Sequence, residues 1–386
     1  MTTTKQGIVS NAAANPLRSL RERGQSVWSD FLSRRFIADG TLKRLVDEDG
    51  LAGVTSNPTI FEKAIADGAD YDASLKDARR QGGLDAVGLY ERLAVEDIQR
   101  AADVLRPVYE STGGGDGYAS LEVSPYIAME SDATIAEARR LAKAVGRDNV
   151  MIKVPATEAG LPAIRRLTAE GVKVNITLLF SQTVYEEVVE AYLSGLERFV
   201  AAGGDPRRIA SVASFFVSRI DVAVDKIIGE RLARSRASGE REALSALRGK
   251  VAIANAKLAY QRYKRLFAGP RWEKLAARGA RVQRVLWAST GTKDPAYSDV
   301  LYVEELIGPD TVNTMPPATI DAFRDHGQVR DTLEQNVEEA ERIMAALAGF
   351  GISIDAVTAK LTEEGVRRFA EDFDKLLAVL ERKRSG

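Results

Sequence analysis

Eight short apolar or β-branched runs, most of them followed by a stretch of helical periodicity, limit what this chain can fold into. They cover residues 26–30, 51–57, 118–124, 150–155, 172–180, 209–217, 282–289 and 311–315. Strand then helix, repeated, calls for a parallel sheet, because parallel neighbours need a crossover long enough to hold a helix. Eight such units close a sheet on itself and leave no free edge. The expected fold is therefore α/β, a (β/α)8 TIM barrel.

The intervening helices carry their own signals. Ser131 or Asp132 is the expected cap of a helix whose apolar face is Ile135, Ala138, Leu141, Ala142 and Val145, stopped at Gly146. Ser181 is the expected cap of another, with Val184, Val188, Ala191 and Tyr192 at helical spacing. Two intervals exceed the simple repeat: 60–106 holds more than one helix and 219–280 about three, both read as helical insertions on the barrel. The charged tract 231–242 reads as an exposed helix end or hairpin, and 353–384 as a closing helix. No sharp linker divides the chain, so the expected organisation is a leading segment, 1–19, and one barrel domain, 20–386. The glycines of 113–117 follow a helix and precede a strand, the reverse of a phosphate cradle. They are expected to form a flexible connector.

Composition removes whole classes of chemistry. With no cysteine among 386 residues, thiolate metal sites, disulfides and cysteine nucleophiles are excluded. The single histidine, His326, lies in a charged, Gly-flanked stretch and is expected on the surface. Histidine triads and multi-histidine metal sites are thereby disfavoured. Lys and Arg number 54 against 55 Asp and Glu, a net charge of −1, which offers no global attraction for nucleic acid or an anionic membrane. No apolar stretch approaches spanning length. The expectation is a soluble cytoplasmic protein with no nucleic-acid or membrane partner; the sequence assigns no oligomeric state.

Lys153 stands inside the apolar run Val150-Met151-Ile152-Lys153-Val154-Pro155. Burial disfavours an ammonium, and a neutral amine attacks carbonyl carbon to give a Schiff base. The alternatives are pairing with a carboxylate or snorkelling to water from the strand end. In such barrels chemistry gathers at the C-terminal ends of the strands, and other runs place polar groups there. The first ends at Asp30 and the second at Thr55-Ser56-Asn57. Glu122 stands between Leu121 and Val123, Asn175 and Thr177 share a parity opposite to Ile176 and Leu178, and Ser214 is followed by Arg219. A lone Asn or Thr is usually a satisfied core group, but six strands agree.

The segments Val54-Thr55-Ser56-Asn57-Pro58-Thr59, Ser120-Leu121-Glu122-Val123, Met151-Ile152-Lys153-Val154-Pro155-Ala156-Thr157, Asn175-Ile176-Thr177-Leu178-Leu179-Phe180 and Ser214-Phe215-Phe216-Val217-Ser218-Arg219-Ile220 resemble those of transaldolases. The resemblance spans nearly the whole chain and is similar to the longer bacterial members. It implies transfer of a dihydroxyacetone unit between sugar phosphates in the non-oxidative pentose phosphate pathway, with no metal or organic cofactor. On that resemblance Lys153 is the Schiff-base lysine, Asp30 the carboxylate serving the C4 hydroxyl, and Glu122 with Thr177 the pair that holds a water. Asn57, Asn175 and Ser214 match groups that bind the retained three-carbon unit, and Arg219 a phosphate ligand. A serine and an arginine are expected near the end of the seventh strand, but here Ser289 is followed by Thr290-Gly291-Thr292-Lys293. Lys293 is the candidate substitute, as a point charge. The alternative activity is that of a class I aldolase, a lyase releasing free dihydroxyacetone from fructose 6-phosphate.

Overall fold

The computed structural model describes residues 15–66 and 69–385. All eight expected strands form: β1 (Gln25–Ser29), β2 (Gly53–Thr55), β3 (Tyr118–Glu122), β4 (Val150–Pro155), β5 (Val174–Leu179), β6 (Ser211–Phe216), β7 (Gln283–Ala288) and β8 (Thr311–Met315). Each pairs in parallel with the next and β8 returns to β1, closing the barrel. The second strand is shorter than its apolar run because Asn57 leaves the sheet to cap a helix, its Oδ1 accepting from Ile60 N–H at 2.9 Å.

Partners in register share a face, so the alternation within one strand fixes its neighbours. Glu122 lies opposite Lys153 and Lys153 opposite Asn175, while Trp28 lies between Gly53 and Thr314. The Trp28 ring fills the middle of the barrel, and a Cβ on residue 53 would sit 2.5 Å from it, so only glycine fits there. Below it, Trp28 Nε1 donates to Asp116 at 2.8 Å, Ser26 hydrogen-bonds the same carboxylate, and Arg284 donates to Ser26 Oγ at 2.7 Å. Trp28, Ser26, Asp116 and Arg284 thus form one hydrogen-bonded network across the lower part of the barrel, and the C-terminal end is where barrels of this kind carry their chemistry. The 113–117 connector is not loose as expected: Arg284 donates to Gly115 O at 3.1 Å, Arg281 hydrogen-bonds the Gly113 and Gly114 carbonyls, and Asp116 reaches the barrel floor.

Ser181 caps its helix as expected, accepting from Thr183 and Val184 N–H. Ser131 does not cap: Glu130 occupies the N-cap of Ser131–Val145, and the Ser131 hydroxyl donates to Ala159 O at 2.6 Å. Gly146 ends that helix with φ of 57°. The first insertion holds three helices, Pro58–Ala66, Asp72–Gln81 and Ala86–Ser111. The second holds four, Ser218–Arg234, Ser238–Ser245, Val251–Leu266 and Pro270–Ala276, against the three expected. The charged tract supplies the extra break, spanning the end of one helix, a short exposed link and the start of the next. After β8, Pro317–His326 and Val337–Gly349 precede the closing helix, Ile354–Ser385. Of the leading segment, 1–14 lies outside the described residues, and Pro16–Glu22 is a helix that buries Leu17 and Leu20. His326 is exposed between Asp299 and Asp325, whose carboxylates hold its pKa above the usual imidazole range. Among the described residues no single helix is long and apolar enough to cross a membrane.

The closing helix crosses the C-terminal mouth. A Cβ on Gly365 would lie 2.6 Å from Leu178 Cδ2, so the helix backbone rests on the end of β5. Leu178 itself has φ of 56°, at a register shift between Ile176 and Leu179. The simple alternation expected through Leu178 therefore stops at Thr177, where a bulge re-aims the strand end beneath the helix.

Candidate active site

The C-terminal mouth holds a cavity whose wall includes Asp30 after β1, Asn57 after β2, Lys153 of β4, Thr177 of β5, Ser214 of β6, and Arg219 and Ser289 just beyond β6 and β7. Glu122 and Asn175 stand one contact behind this wall. Lys153 Nζ lies 3.2 Å from Glu122 Oε2, with both side chains about 5–6% exposed, and donates to Ser56 O at 3.1 Å. Lys153 thus pairs with a carboxylate, one of the two alternatives weighed from sequence against a neutral amine, and its side chain also lines the cavity.

Two polar atoms here are buried without a hydrogen bond among the described residues, Glu122 Oε2 and Thr177 Oγ1. The Lys153–Glu122 contact is thus an ion pair by distance whose angles do not make a hydrogen bond. Burial pushes the Glu122 carboxyl above the ordinary carboxylate range, against the pull of Lys153. A carboxyl so placed is a better proton acceptor than a solvated one. On the next strands Asn175 Nδ2 donates to Ser120 Oγ at 3.0 Å, and Ser214 Oγ donates to Asn175 Oδ1 at 2.7 Å. This chain fixes the amide's orientation and leaves the Ser214 oxygen at the cavity.

Asp30 is steadied by Thr55, whose Oγ1 lies 2.8 Å from Asp30 Oδ1 and 3.0 Å from Thr314 Oγ1. Thr314 was missed from sequence, although its parity in β8 matches the inward set. Asn57 uses its oxygen for capping, which leaves its amide for a ligand. Ser289 has φ of 58°, and its Oγ lies 3.0 Å from Ser218 Oγ, next to Arg219. The Arg219 guanidinium sits 5.2 Å above the Phe216 ring. Lys293 is exposed and does not line the cavity. Phe369 of the closing helix does line it, a contribution that no local pattern foretold.

Fold and site together define a class, a closed (β/α)8 barrel with a buried lysine and two nearby carboxyls at its C-terminal mouth. Comparison with known proteins narrows it. The sequence matches the family described as Transaldolase/Fructose-6-phosphate aldolase over residues 27–380, and the chain belongs to that family. It is 52% identical to Transaldolase 2 of Nostoc sp. over 374 residues, covering 96% of this chain and 98% of the relative. Transaldolase of Frankia alni is 48% identical over 376 residues, 97% of this chain and 99% of the relative. Transaldolase 1 of Streptomyces coelicolor is 49% identical over 370 residues, 96% and 95% respectively.

Proposed function

We propose that this chain is a transaldolase of the cytoplasmic pentose phosphate pathway, passing a dihydroxyacetone unit from fructose 6-phosphate or sedoheptulose 7-phosphate to an aldose phosphate. Lys153 gives its proton to Glu122 and attacks the ketone carbon, and the carbinolamine loses water to become an iminium. Glu122 and Thr177 offer that water oxygens that make no hydrogen bond among the described residues, and they shuttle its protons. Asp30 takes the proton of the C4 hydroxyl as the C3–C4 bond breaks; the electron pair passes into the iminium and an enamine remains. Asn57, Asn175 and Ser214 hold the enamine's oxygens until the acceptor aldehyde arrives. Addition then reverses the electron flow, Asp30 returns its proton, and hydrolysis frees Lys153. Arg219 and Ser289 receive the phosphate.

The observation that carries this reading is the buried Lys153–Glu122 pair, 3.2 Å apart, whose lysine lines a cavity that Asp30 lines too. Incubation with fructose 6-phosphate, borohydride reduction and mass spectrometry should place the adduct on Lys153. Lys153→Arg should give none, because a guanidinium stays protonated. An adduct on another lysine refutes the assignment. Assays with and without erythrose 4-phosphate separate transfer from release of free dihydroxyacetone, and Asp30→Ala should retain the adduct while losing cleavage.

A further inference from the structure

We propose that Arg368, on the closing helix, supplies the second cationic contact to the substrate phosphate, beside Arg219. The proposal rests on the reading above, in which Arg219 faces that phosphate. A phosphate monoester carries a charge of about −1.5 to −2 near neutral pH, more than one guanidinium neutralises. The end of β7 supplies no arginine, and Lys293, the nearest cation in sequence, is exposed, does not line the cavity, and has no neighbour in sequence that does so after Ser289.

The closing helix brings Arg368 to the mouth. Gly365 seats the helix on Leu178, Phe369 enters the cavity wall, and Asp372 is tied to Thr59 at the start of the first insertion. Residue 368 lies between these anchors, three positions after Gly365 and next to Phe369, so its Cα is held at the rim. Arg367, its neighbour, pairs with Glu371 at 2.9 Å, whereas Arg368 makes no ion pair or hydrogen bond among the described residues. Arg219 likewise has no carboxylate partner among them and leans only on the Phe216 ring. The two charges act on one another. After burial, Arg368 is the strongest influence holding the Arg219 guanidinium below its usual pKa, ahead of the opposing pull of Asp30, Asp372 and Glu122. Gly365, Arg368, Phe369 and Asp372 share one face of the closing helix, the face turned to the mouth, so an anion held by Arg219 lies on the side from which Arg368 projects. Arg368 is exposed and stands just outside the cavity wall, next in sequence to Phe369, so its long side chain is free to swing onto a bound phosphate.

The test uses the full chain with Arg368→Gln, Arg368→Lys and Lys293→Ala. Loss of a charge-assisted contact should raise KM for fructose 6-phosphate roughly ten- to a hundredfold in Arg368→Gln, with a smaller change in kcat. Arg368→Lys should recover part of the loss. Calorimetric titration with inorganic phosphate should weaken in parallel. Unchanged KM and phosphate affinity in Arg368→Gln, or a KM increase confined to Lys293→Ala, overturns the proposal. Failure of the underlying reading is distinguishable: unphosphorylated dihydroxyacetone and borohydride would then leave Lys153 unmodified, while the phosphate titration would still report on Arg368.

Discussion

Asp221 offers a sharp test of how the Arg219 turn is held. It lies in the first turn of Ser218–Arg234, where its Oδ1 accepts from Ala252 N–H and its Oδ2 from the Tyr302 hydroxyl, both at 2.8 Å. It thereby ties this helix to the start of Val251–Leu266. Burial raises its pKa from 3.8 to about 6, outweighing both hydrogen bonds, with Asp225 pushing the same way. Because the folded pKa exceeds the unfolded one, the native state keeps a proton that the unfolded chain has released between about pH 4 and 6. Stability from this group is full below pH 4, falls through that window and is lost above it. A rise of about two units corresponds to roughly 3 kcal/mol. Asp221→Asn keeps the shape, accepting from Ala252 with its oxygen and donating to the Tyr302 oxygen with its amide, and carries no charge. Urea unfolding of both proteins from pH 4 to 7 isolates the effect. Carboxyls whose pKa is lowered, such as Asp49, Glu170 and Glu190, gain stability as pH rises through the acid range, but they are common to both proteins and cancel. The stability of the unaltered protein minus that of Asp221→Asn should fall by about 3 kcal/mol between pH 4 and 7. A difference that stays flat across that range refutes the assignment of the buried charge to Asp221.

Two further outcomes follow from buried pairs. Glu122→Gln removes the proton acceptor beside Lys153 and should lower kcat about 10²- to 10⁴-fold in the coupled transfer assay; near-normal turnover would remove Glu122 from the proton path. Arg34 donates to Asp97 at 2.8 Å and packs over Tyr71, whose hydroxyl also donates to Asp97. Arg34→Met leaves that carboxylate buried without its cation and should destabilise the protein by about 3–5 kcal/mol in urea unfolding, whereas a loss under about 1 kcal/mol would mean the pair is dispensable.

Much of this molecule is legible from the sequence because a barrel converts local alternation into global position. Once Lys153 is placed inward, parallel register carries Glu122 and Asn175 inward with it, and the ladder continues through Ser214. Period-two patterning therefore finds the lysine end of the cavity. The same rule stops where the ladder stops. At Leu178 a left-handed residue breaks the alternation, and no composition signal distinguishes that leucine from its neighbours. Beyond the strand ends, positions are set by loops and by whichever helix lies across the mouth. Phe369 stands 216 residues after Lys153 on a helix whose apolar stripe tells that it packs, but not on what. A search for the missing phosphate cation along β7 accordingly stops at Lys293, because sequence proximity is the only guide available there. The closing helix, seated by Gly365 on the bulge at Leu178, carries Arg368 to the rim instead. Two features that the pattern could not foresee, the bulge at Leu178 and the glycine at 365, are in contact with each other, and together they set where the closing helix crosses the mouth, the end proposed to take the phosphate. That end should therefore tolerate sequence change between relatives more readily than the register-locked lysine end, since a cation there can arrive from any element that reaches the rim.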